Sequence, residues 1–155
     1  MGERGACADR EECAVLTAPS RVLVDWRGDR KFECGREGRP SVLLDGDGNA
    51  GPTPPDALLA ALASCVSVDV VDILAKCRSP VETFNVEVLG ERVDTTPRRF
   101  KHITLNFTIA GEEIDSAQAV RAIDLSVTKY CSVKDSLDPN IPVVWHLVLN
   151  GLTEA

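Results

Sequence analysis

Apolar positions along the chain change their spacing several times, and each spacing predicts a different element. Near the start, Val22, Val24 and Trp26 alternate with other residues, which is typical of a half-buried strand. Gly28 and Asp29 then supply a turn. Two further short strands are predicted at 31–34 and 41–44, so the three strands should form an antiparallel meander.

The longest apolar segment predicts a helix over 56–76. Thr53 is a candidate N-cap, prolines mark the start, and Asp56 favours the positive end of the helix dipole. Seven apolar residues recur at helical spacing: Leu58, Leu59, Leu62, Val66, Val70, Ile73 and Leu74. Small residues fill much of the remainder, and a helix that is apolar or small on nearly all sides is usually a buried central element.

The rest of the chain predicts an α+β fold. Two longer strands are expected at 83–93 and 100–110, a second helix at 115–129, a short helix at 131–137 and a last strand at 143–149. The strands should form mostly antiparallel sheet packed on the long helix. Residues 1–19 lack clear periodicity and are interpreted as a loose lead-in, and 20–155 as a single domain.

Charge changes this picture by excluding classes of partner. The net charge of −7 argues against nucleic acid or an anionic membrane as the main partner, because both attract basic surfaces. The densest basic cluster, Arg98, Arg99 and Lys101, is interpreted as a solvated strand end. The window 57–68 is short for a membrane span, and the charged N-terminus does not resemble a secretory signal. A cytoplasmic protein is therefore expected.

Six cysteines are notable in such a compartment, where structural disulfides are rare. Four of them, Cys7, Cys13, Cys34 and Cys77, have no identifiable role. No two cysteines have the two-residue separation of a zinc knuckle or thioredoxin-like site, so no metal site is predicted.

The other two cysteines have more informative surroundings. Cys65 lies deep in the long helix, where burial raises a thiol pKa and the helix dipole contributes little, so a reactive thiolate there would need a cation from elsewhere. A core thiol is the alternative on physical grounds alone. Cys131 lies at an apparent break between helices, flanked by Lys129 and Lys134, which favours a thiolate or an attacking thiol.

Two segments around these cysteines resemble the OsmC/Ohr family, the osmotically inducible protein C and organic hydroperoxide resistance proteins. The first is Gly-Pro-Thr-Pro-Pro-Asp-Ala-Leu-Leu-Ala-Ala-Leu-Ala-Ser-Cys over 51–65. The second is Ala-Ile-Asp-Leu-Ser-Val-Thr-Lys-Tyr-Cys-Ser-Val over 122–133. The similarity extends from about Arg21 to Gly151 and implies an OsmC-like fold in an intertwined homodimer.

The resemblance also implies a function. Cys65 would reduce organic hydroperoxides, with hydrogen peroxide as a further candidate substrate, through a sulfenic acid that Cys131 resolves as a disulfide. It implies no metal, haem or flavin, and a dithiol reductant such as a lipoyl protein or a thioredoxin-like partner. Candidate substrate contacts are Asp56, Leu62 and Tyr130, although the single tyrosine could instead be a core anchor.

One position departs from the family pattern. Peroxidases of the family carry a glutamate ten positions before the first cysteine, where it orients an activating arginine, and this chain has Pro55 there. Arg36 and Arg39 are the first candidates for that arginine, with Arg27 and Arg30 as alternatives. Two other functions stay open: a non-catalytic protein that binds an apolar small molecule, and a redox sensor that uses the same cysteine pair.

Overall fold

The computed structural model describes residues 19–154, which fall into two compact units that divide after Thr53. Each unit is treated by itself below. The predicted lead-in, with Cys7 and Cys13, lies outside the described residues except for Pro19. A single domain over 20–155 stays a prediction.

The first unit is the predicted three-stranded meander. Its strands are β1 (Leu23–Trp26), β2 (Lys31–Gly35) and β3 (Val42–Asp45), and both neighbouring pairs are antiparallel. The turns form where the sequence places residues that tolerate positive φ, namely Gly28, Asp29 and Gly38. The meander is therefore confirmed, with boundaries shifted by one or two residues.

The second unit combines a long helix with a four-stranded sheet. Its helices are α1 (Pro54–Lys76), α2 (Ser116–Leu125) and α3 (Ser132–Asp135), and its strands are β4 (Thr83–Arg92), β5 (Phe100–Ala110), β6 (Val143–Leu149) and β7 (Leu152–Glu154). The strand order is β4-β5-β6-β7. The α+β class is confirmed, and the three-residue β7 is an addition to the prediction.

The sheet is mixed, because β5 and β6 are parallel while β4 and β7 pair antiparallel to their neighbours. Parallel neighbours need a crossover connection, and α2 and α3 lie in the segment between β5 and β6. One parallel pair among antiparallel ones agrees with the prediction of mostly antiparallel sheet.

Helix α1 forms the centre of the second unit. Leu62, Val66, Val70 and Leu74 follow one another at every fourth position and are completely buried in the same core as Phe107. The helix is also long and apolar enough to cross a membrane, by length and composition alone. The helix is longer than the apolar window 57–68, which is short for a membrane span. Its apolar residues include the stripe buried in the core, as expected of a core helix.

The second helix is shorter than predicted and ends in a wider turn. Asp115 caps α2 by accepting a hydrogen bond from the Gln118 backbone N–H at 3.1 Å. After Leu125 the backbone follows a π-helical turn over Ser126–Tyr130, closed by the Cys131 N–H bonding to the Ser126 carbonyl at 3.0 Å. The predicted end or kink of this helix is thus a π turn, a feature frequent at functional sites.

Candidate active site

Two cysteines distant in sequence meet inside the second unit. Cys65 is half-buried in the middle of α1, and Cys131 follows the π turn with 3% of its surface exposed. Their side chains share a hydrogen bond in which the Cys131 thiol donates to the Cys65 sulfur. Both are free thiols in this structure. The fold therefore brings these two thiols close enough to affect each other's pKa, which the sequence alone could not establish.

Further donors converge on the Cys65 sulfur. Burial acts to raise the pKa of Cys65, but hydrogen bonds from the Val133 backbone N–H, the Cys131 thiol and the Ser132 hydroxyl outweigh it, so the pKa lies below its ordinary value. The expectation that a reactive Cys65 needs a cation is thus incomplete, because neutral donors after the π turn already favour the thiolate.

The surroundings of Cys131 have the opposite effect. Burial, as the largest cause, and the neighbouring Cys65 sulfur together raise its pKa to about 11, and backbone N–H groups of Lys134 and Val133 only partly counteract this. The Lys134 N–H donates to the Cys131 sulfur at 3.3 Å, so the Cys131 side chain is the N-cap of α3. The expectation that flanking lysines make Cys131 a thiolate is wrong, because Lys134 contributes its backbone and the Lys129 ammonium lies over the Tyr130 ring.

Asp69 lies one turn after Cys65 on α1 and acts against the thiolate. It is half-buried rather than fully solvated, and its charge raises the pKa of Cys65. The net pKa of Cys65 is nevertheless lowered, so the hydrogen bonds outweigh this like-charge repulsion. Asp69 is therefore an electrostatic neighbour of the thiol.

The candidate arginines lie in the first unit. Arg36 and Arg39 flank the turn between β2 and β3, where the Arg39 N–H bonds to the Arg36 carbonyl at 3.1 Å, and both are exposed. Neither forms an ion pair within residues 19–153. The two alternatives are already engaged, since Arg27 bonds to Glu33 at 2.6 Å and Arg30 to Asp47 at 2.6 Å.

The other candidates differ in accessibility. Asp56 is exposed in the first turn of α1 and borders a groove of about 560 Å³ between α1 and β4. Leu62 is enclosed in the core. Tyr130 is 48% exposed, so its alternative role as a core anchor is wrong. Pro55 stands in the first turn of α1, where a missing N–H breaks no helical hydrogen bond.

No cluster of three or more metal-ligating side chains occurs within the described residues. The remaining described cysteines are Cys34 in β2 and Cys77, which is exposed just after α1. The contacting sulfurs suit thiol and disulfide chemistry instead.

Sequence reasoning missed Ser132 and Val133, which supply donors to Cys65. A usable signal was the helix start directly after Cys131, because the first amide groups of a helix have no intrahelical partner. What the sequence could not show is that these donors point at a cysteine 67 and 68 positions away on another helix.

Comparison with known proteins finds similar sequences and structures. The family model described as OsmC-like protein matches residues 46–146, which include both cysteines. Protein YhfA of Escherichia coli K12 is 39% identical over 103 residues, covering 66% of this chain and 77% of that protein.

Solved structures share the fold at low identity. An OsmC-like protein from Mycoplasma pneumoniae has a TM-score of 0.73 and 16% identity, covering 86% of this chain and 98% of its own. The organic hydroperoxide resistance protein OhrB of Bacillus subtilis has a TM-score of 0.57 and 15% identity, covering 84% and 98%.

Proposed function

Because the chain belongs to the OsmC-like protein family, we propose that it is a thiol peroxidase that reduces organic hydroperoxides, and hydrogen peroxide as a smaller substrate. The observation that carries the proposal is the contact between two unlike thiols, one with a lowered pKa and one with a raised pKa. The hydroperoxide-resistance function of the structurally similar OhrB supports the same class of chemistry.

In the first step the Cys65 thiolate attacks the distal peroxide oxygen. The O–O bond breaks, the new S–O bond leaves Cys65 as a sulfenic acid, and the alkoxide takes a proton and departs as an alcohol. Sulfur is oxidised by two electrons and the peroxide is reduced by two. The donors that lower the pKa of Cys65 supply the thiolate that this step consumes.

In the second step Cys131 resolves the sulfenic acid. Its sulfur attacks that of Cys65, a disulfide forms and water departs with the Cys131 proton. The interaction between the two side chains supports this step, because it brings the resolving thiol to the attacking one. A dithiol, such as a lipoyl protein or a thioredoxin-like partner, then reduces the disulfide and is itself oxidised. No metal, haem or flavin enters this cycle.

Arg36 and Arg39 are proposed to assist Cys65, because both lack an ion-pair partner within the described residues, unlike Arg27 and Arg30. Of the three predicted substrate contacts, the exposed Asp56 and Tyr130 can reach a bound peroxide more readily than the enclosed Leu62. We propose that the protein works in the cytoplasm, where thiols stay reduced.

We further propose that the protein works as a homodimer. Strand register places Trp26, Phe32 and Leu44 in one row of the meander, beside a row of Val24, Cys34 and Val42. Trp26 is 66% exposed and Val24 61% exposed. A three-stranded sheet with an apolar, exposed face is expected to pack on a partner, and a second copy would supply it.

The test of activity is peroxide consumption with cumene hydroperoxide and with hydrogen peroxide, with dihydrolipoamide as the electron donor. Turnover should fall at least about a hundredfold in Cys65→Ser, since this variant lacks the thiol with the lowered pKa that makes the attack. Cys131→Ser should react once and then inactivate. The matched control is Cys77→Ser, which removes an exposed thiol and should retain turnover.

Absence of wild-type turnover with both thiols intact would contradict the peroxidase proposal. If oxidation then changed binding to another protein, a redox sensor would be indicated instead. The dimer is tested separately by light scattering during size-exclusion chromatography. Trp26→Asp should shift the mass to that of one chain, whereas Asp25→Asn, on the opposite face of β1, should not.

A further inference from the structure

A second apolar cavity lies at the N-terminal end of α1, away from the groove that Asp56 borders. Its volume is about 380 Å³, within the range of small-molecule sites. Apolar side chains from three segments line it: Leu58, Phe100, Ile103, Leu137 and Ile141. An occupant would therefore place an apolar body here.

Three arginines line the same cavity. Arg92 ends β4, and Arg98 and Arg99 directly precede β5. Their side-chain N–H groups reach only backbone carbonyls: Arg92 bonds to Arg98 at 2.6 Å, Arg98 to Val93 at 3.5 Å and Arg99 to Phe100 at 3.4 Å. The Arg92 guanidinium also lies 5.8 Å from the centre of the Phe100 ring.

Among the described residues these arginines form no ion pair, although the protein is acidic. The sequence has 24 Asp and Glu against 17 Lys and Arg, and the neighbouring Lys101 pairs with Glu91 at 3.6 Å. No carboxylate of residues 19–153 forms an ion pair with Arg92, Arg98 or Arg99. The charge of Arg99 helps lower the pKa of Asp138, but the two side chains form no ion pair. Asp138 accepts two hydrogen bonds from Asn140 at 2.9 Å.

Three neighbouring cations repel one another, and an anion bound among them would relieve that repulsion. Guanidinium groups bind carboxylates through paired hydrogen bonds, and an apolar cavity disfavours a small hydrated anion such as inorganic phosphate. The two features together select a molecule with an apolar chain and an anionic end.

We propose that this cavity binds an amphiphilic monocarboxylate of the fatty-acid type, with its carboxylate at Arg92, Arg98 and Arg99 and its chain against Leu58 and Phe100. The cluster interpreted from sequence as a solvated strand end thus becomes the head-group end of a ligand site. Leu58 lies about two turns before Cys65 on the same side of α1, so the chain would extend along the helix that carries the thiol. Binding here does not require the proposed peroxidase chemistry.

The experiment is titration calorimetry of the full chain with decanoate, below the concentration at which it forms micelles. Two ligands separate the contributions: decyltrimethylammonium keeps the chain and reverses the charge, and acetate keeps the carboxylate without the chain. The measurements are repeated in Cys65→Ser, which should bind decanoate unchanged, so that failure of the peroxidase and failure of this site are distinguishable.

Decanoate should bind, and the two comparison ligands should bind at least about tenfold more weakly. Decyltrimethylammonium loses the charge-assisted pair with the arginines, and acetate loses the apolar contacts of the chain. Arg98→Gln with Arg99→Gln should weaken decanoate binding by a similar factor. Arg121→Gln, which removes one positive charge from the exposed side of α2, should not.

Three results would overturn the proposal. Equal binding of decanoate and decyltrimethylammonium would show a merely apolar cavity. Equal binding of acetate would show a simple anion site. Arginine-dependent binding to phosphatidylglycerol vesicles without any binding of monomeric decanoate would assign the cluster to a membrane surface.

Discussion

The segments that carry Cys65 and Cys131 bring two sulfurs together from opposite kinds of local structure. Cys65 lies within a regular 23-residue helix, whose interior amide groups are already bonded along the helix. Cys131 lies between a π turn and a four-residue helix, where amide groups are still available. The irregular segment therefore supplies the donors, and the regular helix supplies the sulfur that receives them.

This difference explains why the more exposed thiol is the more acidic one. Cys131 is 3% exposed and donates its own proton toward Cys65, which raises its pKa while lowering that of its partner. The direction of one sulfur–sulfur hydrogen bond thus separates an attacking thiol from a resolving one.

The largest expected effect is a difference between the rates at which iodoacetamide alkylates Cys65 and Cys131, because only thiolates react. At pH 7 a thiol with a pKa of about 11 is ionised to roughly one part in ten thousand. Cys65 should therefore react at least about a hundredfold faster than Cys131. Its rate should level off at a pH below the usual thiol range, whereas that of Cys131 should still rise above pH 9, as peptide mapping by mass spectrometry would show.

Alkylation in urea gives the control for that experiment, since both thiols should then titrate alike near their usual pKa of about 8.5. If Cys131 reacted first in the folded protein, the assignment of attacking and resolving roles would be reversed.

The next effect comes from removing one sulfur. Cys65→Ala deletes the hydrogen-bond and charge partner that helps raise the pKa of Cys131. That pKa should fall, but it should stay above the usual value because burial is the largest cause of the rise. The midpoint of Cys131 alkylation against pH measures the change, and thiolate at neutral pH should increase on the order of tenfold.

Cys77→Ala is the matched control, because its exposed thiol lies just beyond the end of α1. An unchanged midpoint in Cys65→Ala would mean that the two sulfurs do not interact in solution.

The sequence predicts the two regions unequally. Helical spacing from Leu58 to Leu74 predicts the position and nearly the full length of α1, because a regular helix repeats its pattern over many turns. The π turn over Ser126–Tyr130 has no such repeat, and the sequence indicates only that the helix ends or kinks there. The contact between the cysteines depends on how α1 packs against that turn, which is a tertiary property.

Charges close in sequence were also misleading. Lys129 and Lys134 flank Cys131, but backbone geometry turns one ammonium toward Tyr130 and leaves the other without an effect on the sulfur pKa, while the Lys134 amide does act. Proximity along the chain indicates an electrostatic influence only where the intervening conformation brings the charge to the same side.

A smaller effect is expected from a single donor. Ser132→Ala removes the hydroxyl that helps lower the pKa of Cys65 and leaves the Val133 and Cys131 donors in place. The pKa of Cys65 should rise, and its alkylation at a pH below the wild-type midpoint should slow by several-fold, up to about tenfold. Ser132→Thr should restore the rate, because it restores the hydroxyl.

Ser136→Ala is the control for that variant, since its hydroxyl donates to the Ser132 carbonyl at 2.7 Å on the same short helix and is not a donor to Cys65. Equal slowing in both variants would indicate that α3 had loosened rather than that one donor had been lost.

The smallest effect is expected at Asp69, whose charge acts on Cys65 without a hydrogen bond. Asp69→Asn keeps the size of the side chain and removes the carboxylate that raises the pKa of Cys65. That pKa should fall further, so alkylation below the wild-type midpoint should accelerate by about twofold at low salt and less at high salt, because salt screens the interaction. Asp72→Asn removes an exposed charge from the next part of the helix and should leave the rate unchanged. If Asp69→Asn slowed Cys65 instead, the carboxylate would be acting as a base that takes the thiol proton, and the acidity of Cys65 would depend on its own helix as well as on the segment after the π turn.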